Sequence, residues 1–180
     1  MTKTVFISII NIVFWLVVFY GTAGVIVALP KKWQKKLFDS NRRFYHVSER
    51  EMQFYRKIKL PKWKDKLPQH NSDFEKRHLA KDITLEYIAK YIFVTCRAEI
   101  IHYVIGVVGY ISLLFSFLSE NIEYWFEVYF AIATTMMVGN IPFSMIQRYN
   151  RYRLKRLFER MSKTPNLSYS EHHRKLLQNN

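Results

Sequence analysis

Glu99 and His102 stand three residues apart in the stretch TCRAEIIHYVIGVVGY, Thr95–Tyr110. On a helix that spacing sets both side chains on one face. A carboxylate that accepts a hydrogen bond from one imidazole nitrogen leaves the other as a base, able to take the proton of a hydroxyl. Cys96 lies three residues before Glu99, and Gly106 and Gly109 continue the same stripe. The face is therefore polar at one end and small at the other. Small residues admit a second helix or a flat ligand at close range. Ionisable groups carried into an apolar segment are costly and normally face a protein interior or a watered cavity. The stripe has a second reading, as a polar cluster that staples helices together or lies in the headgroup zone. Arg97 is off the stripe, where it could snorkel to phosphate or pair across to another helix.

A second polar face follows. Asn140, Ser144, Gln147, Arg148 and Arg151 fall on one side of a helix. Asn140, Gln147 and Arg148 are candidate donors to a tetrahedral oxyanion, or positioning groups together with Arg97. Pro142 deprives the carbonyl of Val138 of its usual donor and invites a kink. The run QRYNRYRLKR also reads as a juxtamembrane basic patch, although Gln147 and Asn150 fit that reading less well.

The elements that must position these faces are membrane spans. Val5 to Leu29 carries no charge over 25 positions, long enough to cross a hydrocarbon core of roughly 30 Å as a helix. A cleaved signal peptide would be shorter, with a basic leader and a small-x-small site. A second apolar run lies from Ile100 to Leu118 and a third from Val128 to about Gln147. Five glycines and five prolines in 180 residues are too few for the turns of a sheet. The expected fold is all-α, an integral membrane protein with three transmembrane helices. The expected divisions are a span at 5–29, a basic loop at 30–82 containing short helices, one long helix over 83–118, and a third span at 124–147. A basic juxtamembrane helix at 148–163 and a flexible tail at 164–180 follow.

Charge orients the spans. The formal net charge is +14. Lys31–Lys90 holds 17 Lys and Arg against 8 Asp and Glu, and Arg148–Asn180 holds 9 against 2. The link Ser119–Glu127 has three glutamates and no Lys or Arg. The positive-inside rule then predicts a cytosolic loop, a cytosolic C-terminus and an N-terminus outside, in the cell membrane. Basic segments beside spans suit anionic lipid headgroups, or the phosphates of a soluble donor. No nucleic-acid recognition motif accompanies them, so nucleic acid is not the expected partner. Cys96 is the single cysteine, which excludes an intramolecular disulfide and a cysteine-rich metal site. No metal or cofactor is expected. A thioester nucleophile and a small buried residue are both open for this thiol.

Within the loop, SERE at Ser48–Glu51 has capping-box spacing and predicts a helix to about Lys59. Pro61 and Pro68 bracket LPKWKDKLP, which predicts an extended or turn-like interfacial element. SDFE at Ser72–Glu75 is a second possible box. His46, His70 and His78 lack a partner pattern and read as solvated. Neither HxxxxD nor GxSxG nor HExxH is present.

Three blocks in this order between apolar spans, KLPKWKDKLP, TCRAEIIHY and NIPFSMIQRYNRYRL, resemble the glycosyl-4,4'-diaponeurosporenoate acyltransferases. The resemblance covers roughly Lys59 to Leu154, and the first span fits in position. The matching positions are Trp63, Lys64 and Asp65; Cys96, Arg97, Glu99 and His102; and Asn140, Pro142, Gln147, Arg148, Tyr149, Asn150 and Arg151. The resemblance implies a membrane O-acyltransferase that places a fatty acyl chain on the sugar of a glycosylated carotenoid, the last step toward staphyloxanthin. Its partners would be membrane lipid, a glycosylated lipid acceptor and an acyl donor such as acyl-CoA. On this reading His102 is the base, oriented by Glu99. Lys62, Lys64, Lys66 and Arg151 hold donor phosphates, and the acceptor's apolar body lies along Gly106 and Gly109. The alternative is a non-catalytic membrane protein that binds a glycolipid or scaffolds partner enzymes.

Overall fold

A computed structural model of the chain describes residues 3–67 and 83–163. It is an all-helical membrane protein; three of its helices are long and apolar enough to cross a bilayer. The first, α1, is Lys3–Ala28 and contains one π-helical turn at Val17–Gly21. It ends at Leu29, whose extended ψ of 143° follows from the proline behind it. Pro30 caps α2, Lys31–Leu37. The Gln34 side-chain amide donates to the carbonyls of Val27 and Leu29 at 2.9 and 2.8 Å, closing the end of α1.

Ser48 caps α3, Glu49–Lys57, its hydroxyl accepting from the Glu51 N–H at 3.2 Å. Of the extended and turn-like forms open to the proline-bracketed segment, its described part takes the turn-like one. Leu60–Trp63 forms a helical turn, α4, and Lys64–Lys66 a 3₁₀ turn. Lys59 makes this possible by taking the left-handed conformation, φ 56°, which stops α3 and restarts the chain. Pro61 then occupies the first turn of α4, where its missing N–H costs nothing. The Ser72–Glu75 box, Pro68, His70, His78 and the tail 164–180 lie outside the described residues.

Thr84 caps the second long helix, α5, Leu85–Leu118, through a hydrogen bond from the Tyr87 N–H. It is α-helical to Val108 and tightens to 3₁₀ from Gly109. At three residues per turn, positions 109, 112 and 115 stack on one side. That side faces α1: a Cβ at Gly109 would collide with Cη2 of Trp15, and Phe115 packs edge-on against Phe14 at 5.3 Å. The last helix, α6, runs unbroken from Ile122 to Lys163 with Pro142 inside it, so the third span and the basic juxtamembrane segment are one element.

Helices α5 and α6 pack antiparallel along most of their length. Trp15, Val18, Ile105 and Ala133 form the buried core of the membrane region. Toward the basic end, Val47, Met52, Tyr55, Leu60, Ile146 and Tyr149 form a second core that binds α3 and α4 to α6. Apolar side chains such as Ile12, Val107, Phe117 and Ile141 remain exposed, as lipid-facing positions must.

Candidate active site

The two polar faces meet. Descending α5 while climbing α6 gives a ladder of contacts at the spacing of helical turns. Glu99 meets Arg151 and Arg148, with O···N distances of 2.5 and 2.9 Å. One turn deeper, His102 Nδ1 lies 2.9 Å from Asn140 Oδ1, and the imidazole stacks on Phe143 with ring centres 5.0 Å apart. Below that, Gly106 packs on Met137, where a Cβ would lie 3.3 Å from Cγ. The Tyr110 hydroxyl then reaches that of Thr134 at 3.1 Å. Small residues at Gly106 and Gly109 let the helices close, as in other membrane bundles. Met137 and Trp15 stand against these two glycines, on the face where the acceptor's apolar body is expected.

Glu99 has no exposed surface. Both carboxylate oxygens are taken by guanidinium groups, one each. An arginine offers charge-assisted donors, which outcompete a neutral imidazole for a buried carboxylate. His102 Nδ1 meets the Asn140 amide oxygen.

Arg148 is satisfied at every donor. Nε and Nη2 grip Glu51 at 2.5 and 2.9 Å, Nη1 reaches Glu99 and the Phe44 carbonyl, and Nη2 also reaches the His46 carbonyl. Five N–H groups meet five acceptors, so in this conformation Arg148 has no donor left for an oxyanion. Arg151 is sealed, with 0% exposure, between Glu99, the Tyr45 carbonyl and the Tyr45 ring 5.1 Å away. Arg151, one of the residues expected to hold donor phosphates, is thus fully buried. Cys96 is likewise fully buried, packed with Ile26, Phe38 and Tyr45, which fits the small-residue reading of this thiol.

The basic loop segment holds only part of its expected set. Lys62 and Lys66 are exposed. Lys64 is buried against Asp65 at 2.7 Å, and Trp63 donates its indole N–H to the Ile58 carbonyl. Arg97, Gln147 and Asn150 are half-buried. Among the described residues no three His, Cys, Asp or Glu side chains gather as a metal would require.

Sequence reasoning missed Glu51, Tyr45 and the carbonyls of Phe44 and His46, which close the site from the loop. As the fourth residue of the Ser48–Glu51 capping box, Glu51 gives no hint of a partner on α6. A usable signal existed: Glu49 and Glu51 are acids in a strongly basic loop, and each bonds a cation of α6, Glu49 to Arg156 at 3.1 Å.

Burial pushes the Glu51 carboxyl upward, but hydrogen bonds from Arg148 and Tyr55 outweigh it and hold the group below its ordinary 4.5. Burial and the Glu51 carboxylate push the Tyr55 hydroxyl up, so it remains a donor. A carboxylate with a depressed folded-state value contributes stability that is complete above its unfolded value and is lost as pH falls through the folded one. The thermal midpoint in detergent should therefore fall as pH drops below 4.5. Glu51→Gln should flatten that part of the profile while lowering the midpoint at neutral pH. An identical acid limb in the variant would remove Glu51 from the account.

A family model described as glycosyl-4,4'-diaponeurosporenoate acyltransferase matches residues 34–160, which include the whole polar seam. The protein of that name from Staphylococcus aureus strain N315 is 31% identical over 149 residues, 80% of this chain and 83% of the relative. The one from strain MRSA252 is 27% identical over 151 residues, with the same shares. No solved structure matches the chain. A match over this much of the sequence means that the chain belongs to the glycosyl-4,4'-diaponeurosporenoate acyltransferase family.

Proposed function

We propose that the protein esterifies a sugar hydroxyl of a glycosylated carotenoid or related glycolipid with a fatty acyl chain, and that His102 is the general base. One observation carries the reading. In a chain of this acyltransferase family, His102 is a titratable ring at the edge of the seam, half-buried rather than sealed, while Glu99 and Glu51 together balance the charges of Arg148 and Arg151 beside it. The hydroxyl proton passes to His102 as the sugar oxygen bonds to the acyl carbonyl carbon. With a thioester donor, the tetrahedral intermediate then expels the thiolate, which takes the proton back from the imidazolium. Atoms and charge balance, and no net proton is consumed. In this reading Gln147 serves as the oxyanion donor, because the donors of Arg148 are engaged.

The reading is tested by incubating the purified protein with acyl-CoA and a lipid extract. A mass gain of one acyl chain on a glycolipid supports it. Retention of a glycolipid without any gain favours the binding or scaffolding reading, which the full burial of Glu99 suits.

The donor's phosphates would arrive at the basic loop, where Lys62 and Lys66 are exposed. Neutralising both should raise the KM for acyl-CoA several-fold and weaken its dependence on salt. The KM for the acceptor should not change; a rise confined to the acceptor contradicts the assignment.

This arrangement has the loop and C-terminus in the cytosol and the N-terminus outside, as the charge distribution expects. With Cys96 changed to serine, a thiol at Gln53 should resist an impermeant maleimide in intact cells, and one at Glu120 should react. Both positions are exposed. The opposite labelling pattern inverts the orientation.

A further inference from the structure

Asn140 is buried, and its side chain bridges two groups. Its Nδ2 lies 2.8 Å from the Met136 carbonyl, one turn earlier on the same helix, and its Oδ1 lies 2.9 Å from His102 Nδ1. A backbone carbonyl can only accept a hydrogen bond, so the amide group facing it must be the NH₂ end. The flipped amide would set Oδ1 against a carbonyl oxygen, two acceptors face to face. With the amide fixed this way, Oδ1 faces the imidazole, and an amide oxygen can only accept. The nitrogen that meets it must carry hydrogen. The direction of every bond in the chain Met136, Asn140, His102 is thus set by a single main-chain carbonyl.

We infer that Asn140 is a positioning residue that locks His102 in the Nδ1–H tautomer, leaving Nε2 as the nitrogen that takes up the proton. The inference deepens the proposed function, because it gives the base of that reading its reactive atom. The Phe143 ring, tilted only 19° from the imidazole plane, restricts the ring's orientation from the side. The two devices are complementary: stacking limits the plane, and the amide selects the edge. Neutral Asn140 does this without the charge of a carboxylate, so it orders the imidazole without binding it as an imidazolium. In the free side chain the two neutral tautomers are in competition, and a base that spends much of its time with Nε2 protonated cannot accept there.

The test uses the full chain in nanodiscs, ¹⁵N-labelled at histidine, with the His102 signals assigned by their loss in His102→Gln. Above the imidazole pKa the wild type should show a protonated, amide-like Nδ1 and an unprotonated Nε2. Asn140→Leu should lose that pattern and populate the Nε2–H form. In the same variant kcat should fall on the order of 10-fold or more while both KM values stay near wild type, since a supporting partner acts through the residue it orients. A wild-type His102 found in the Nε2–H form overturns the lock, and that reading stands even if Asn140→Leu fails to fold. An unchanged tautomer in folded Asn140→Leu overturns it equally. The spectrum is independent of turnover. A locked tautomer beside a fully active His102→Ala would retain the lock and discard the base, and the converse pair of results would do the reverse.

Discussion

Changing His102 to alanine should remove about 10²-fold or more of turnover, the usual contribution of a positioned base. The loss should fall on kcat, with both KM values near wild type, because the proton is in transit only at the transition state. The protein should still insert and fold. His102 is half-buried and engages a neutral amide and an aromatic ring, and its removal leaves the ion pairs of Glu99 with Arg148 and Arg151 in place. Asn140 keeps its bond to the Met136 carbonyl and loses only one acceptor contact. The measurement is steady-state acyl transfer on detergent-purified variant, paired with a thermal midpoint. A well-folded His102→Ala that retains most of its activity shows that another group takes the proton, and would turn attention to the Asn140–Arg151 face.

The same residues mark how far sequence could reach. Spacings of three and four put Glu99, His102 and Gly106 on one face and Asn140, Ser144, Arg148 and Arg151 on another. Two amphipathic faces in adjacent spans have little choice but to meet, so the seam was legible. Partner choice within it was not. Residues three apart on a helix are neighbours, but neighbourhood does not decide a hydrogen bond when stronger donors arrive from across the interface. Arg148 and Arg151 engage both oxygens of Glu99, and Asn140 meets His102 from the facing helix. Gly106 and Gly109 were legible as small and therefore as close-approach positions; what approaches was not, because Trp15 comes from a distant part of the chain. At Leu60–Trp63 the extended and turn-like forms both stayed open, and a local detail decides between them. Two prolines forbid one continuous helix, yet a single left-handed residue, Lys59, restarts the helix with Pro61 in its permitted first turn.

Removing the Glu99 carboxylate should destabilise the protein more than any other single change in the seam. Glu99 and Arg151 both have 0% side-chain exposure. Arg148 would survive the loss, because Glu51 holds it with two further bonds. Arg151 would not: beyond Glu99 it has one carbonyl and one ring, and a buried uncompensated guanidinium remains. Breaking such a pair by deleting one partner typically costs about 3–5 kcal/mol, whereas replacing both partners by apolar groups of similar volume is often neutral. Glu99→Ala should therefore yield little folded protein by size-exclusion chromatography and a strongly lowered thermal midpoint. Glu99→Leu combined with Arg151→Met should recover much of that midpoint, and the two single changes should be far from additive. Activity separates the structural role from a chemical one. If Glu99 only holds helices together, the doubly apolar variant keeps turnover in proportion to its folded fraction. If that variant is well folded and inactive, Glu99 acts on the reaction itself, and its place one turn from His102 becomes electrostatic support for the imidazolium that forms when the hydroxyl gives up its proton.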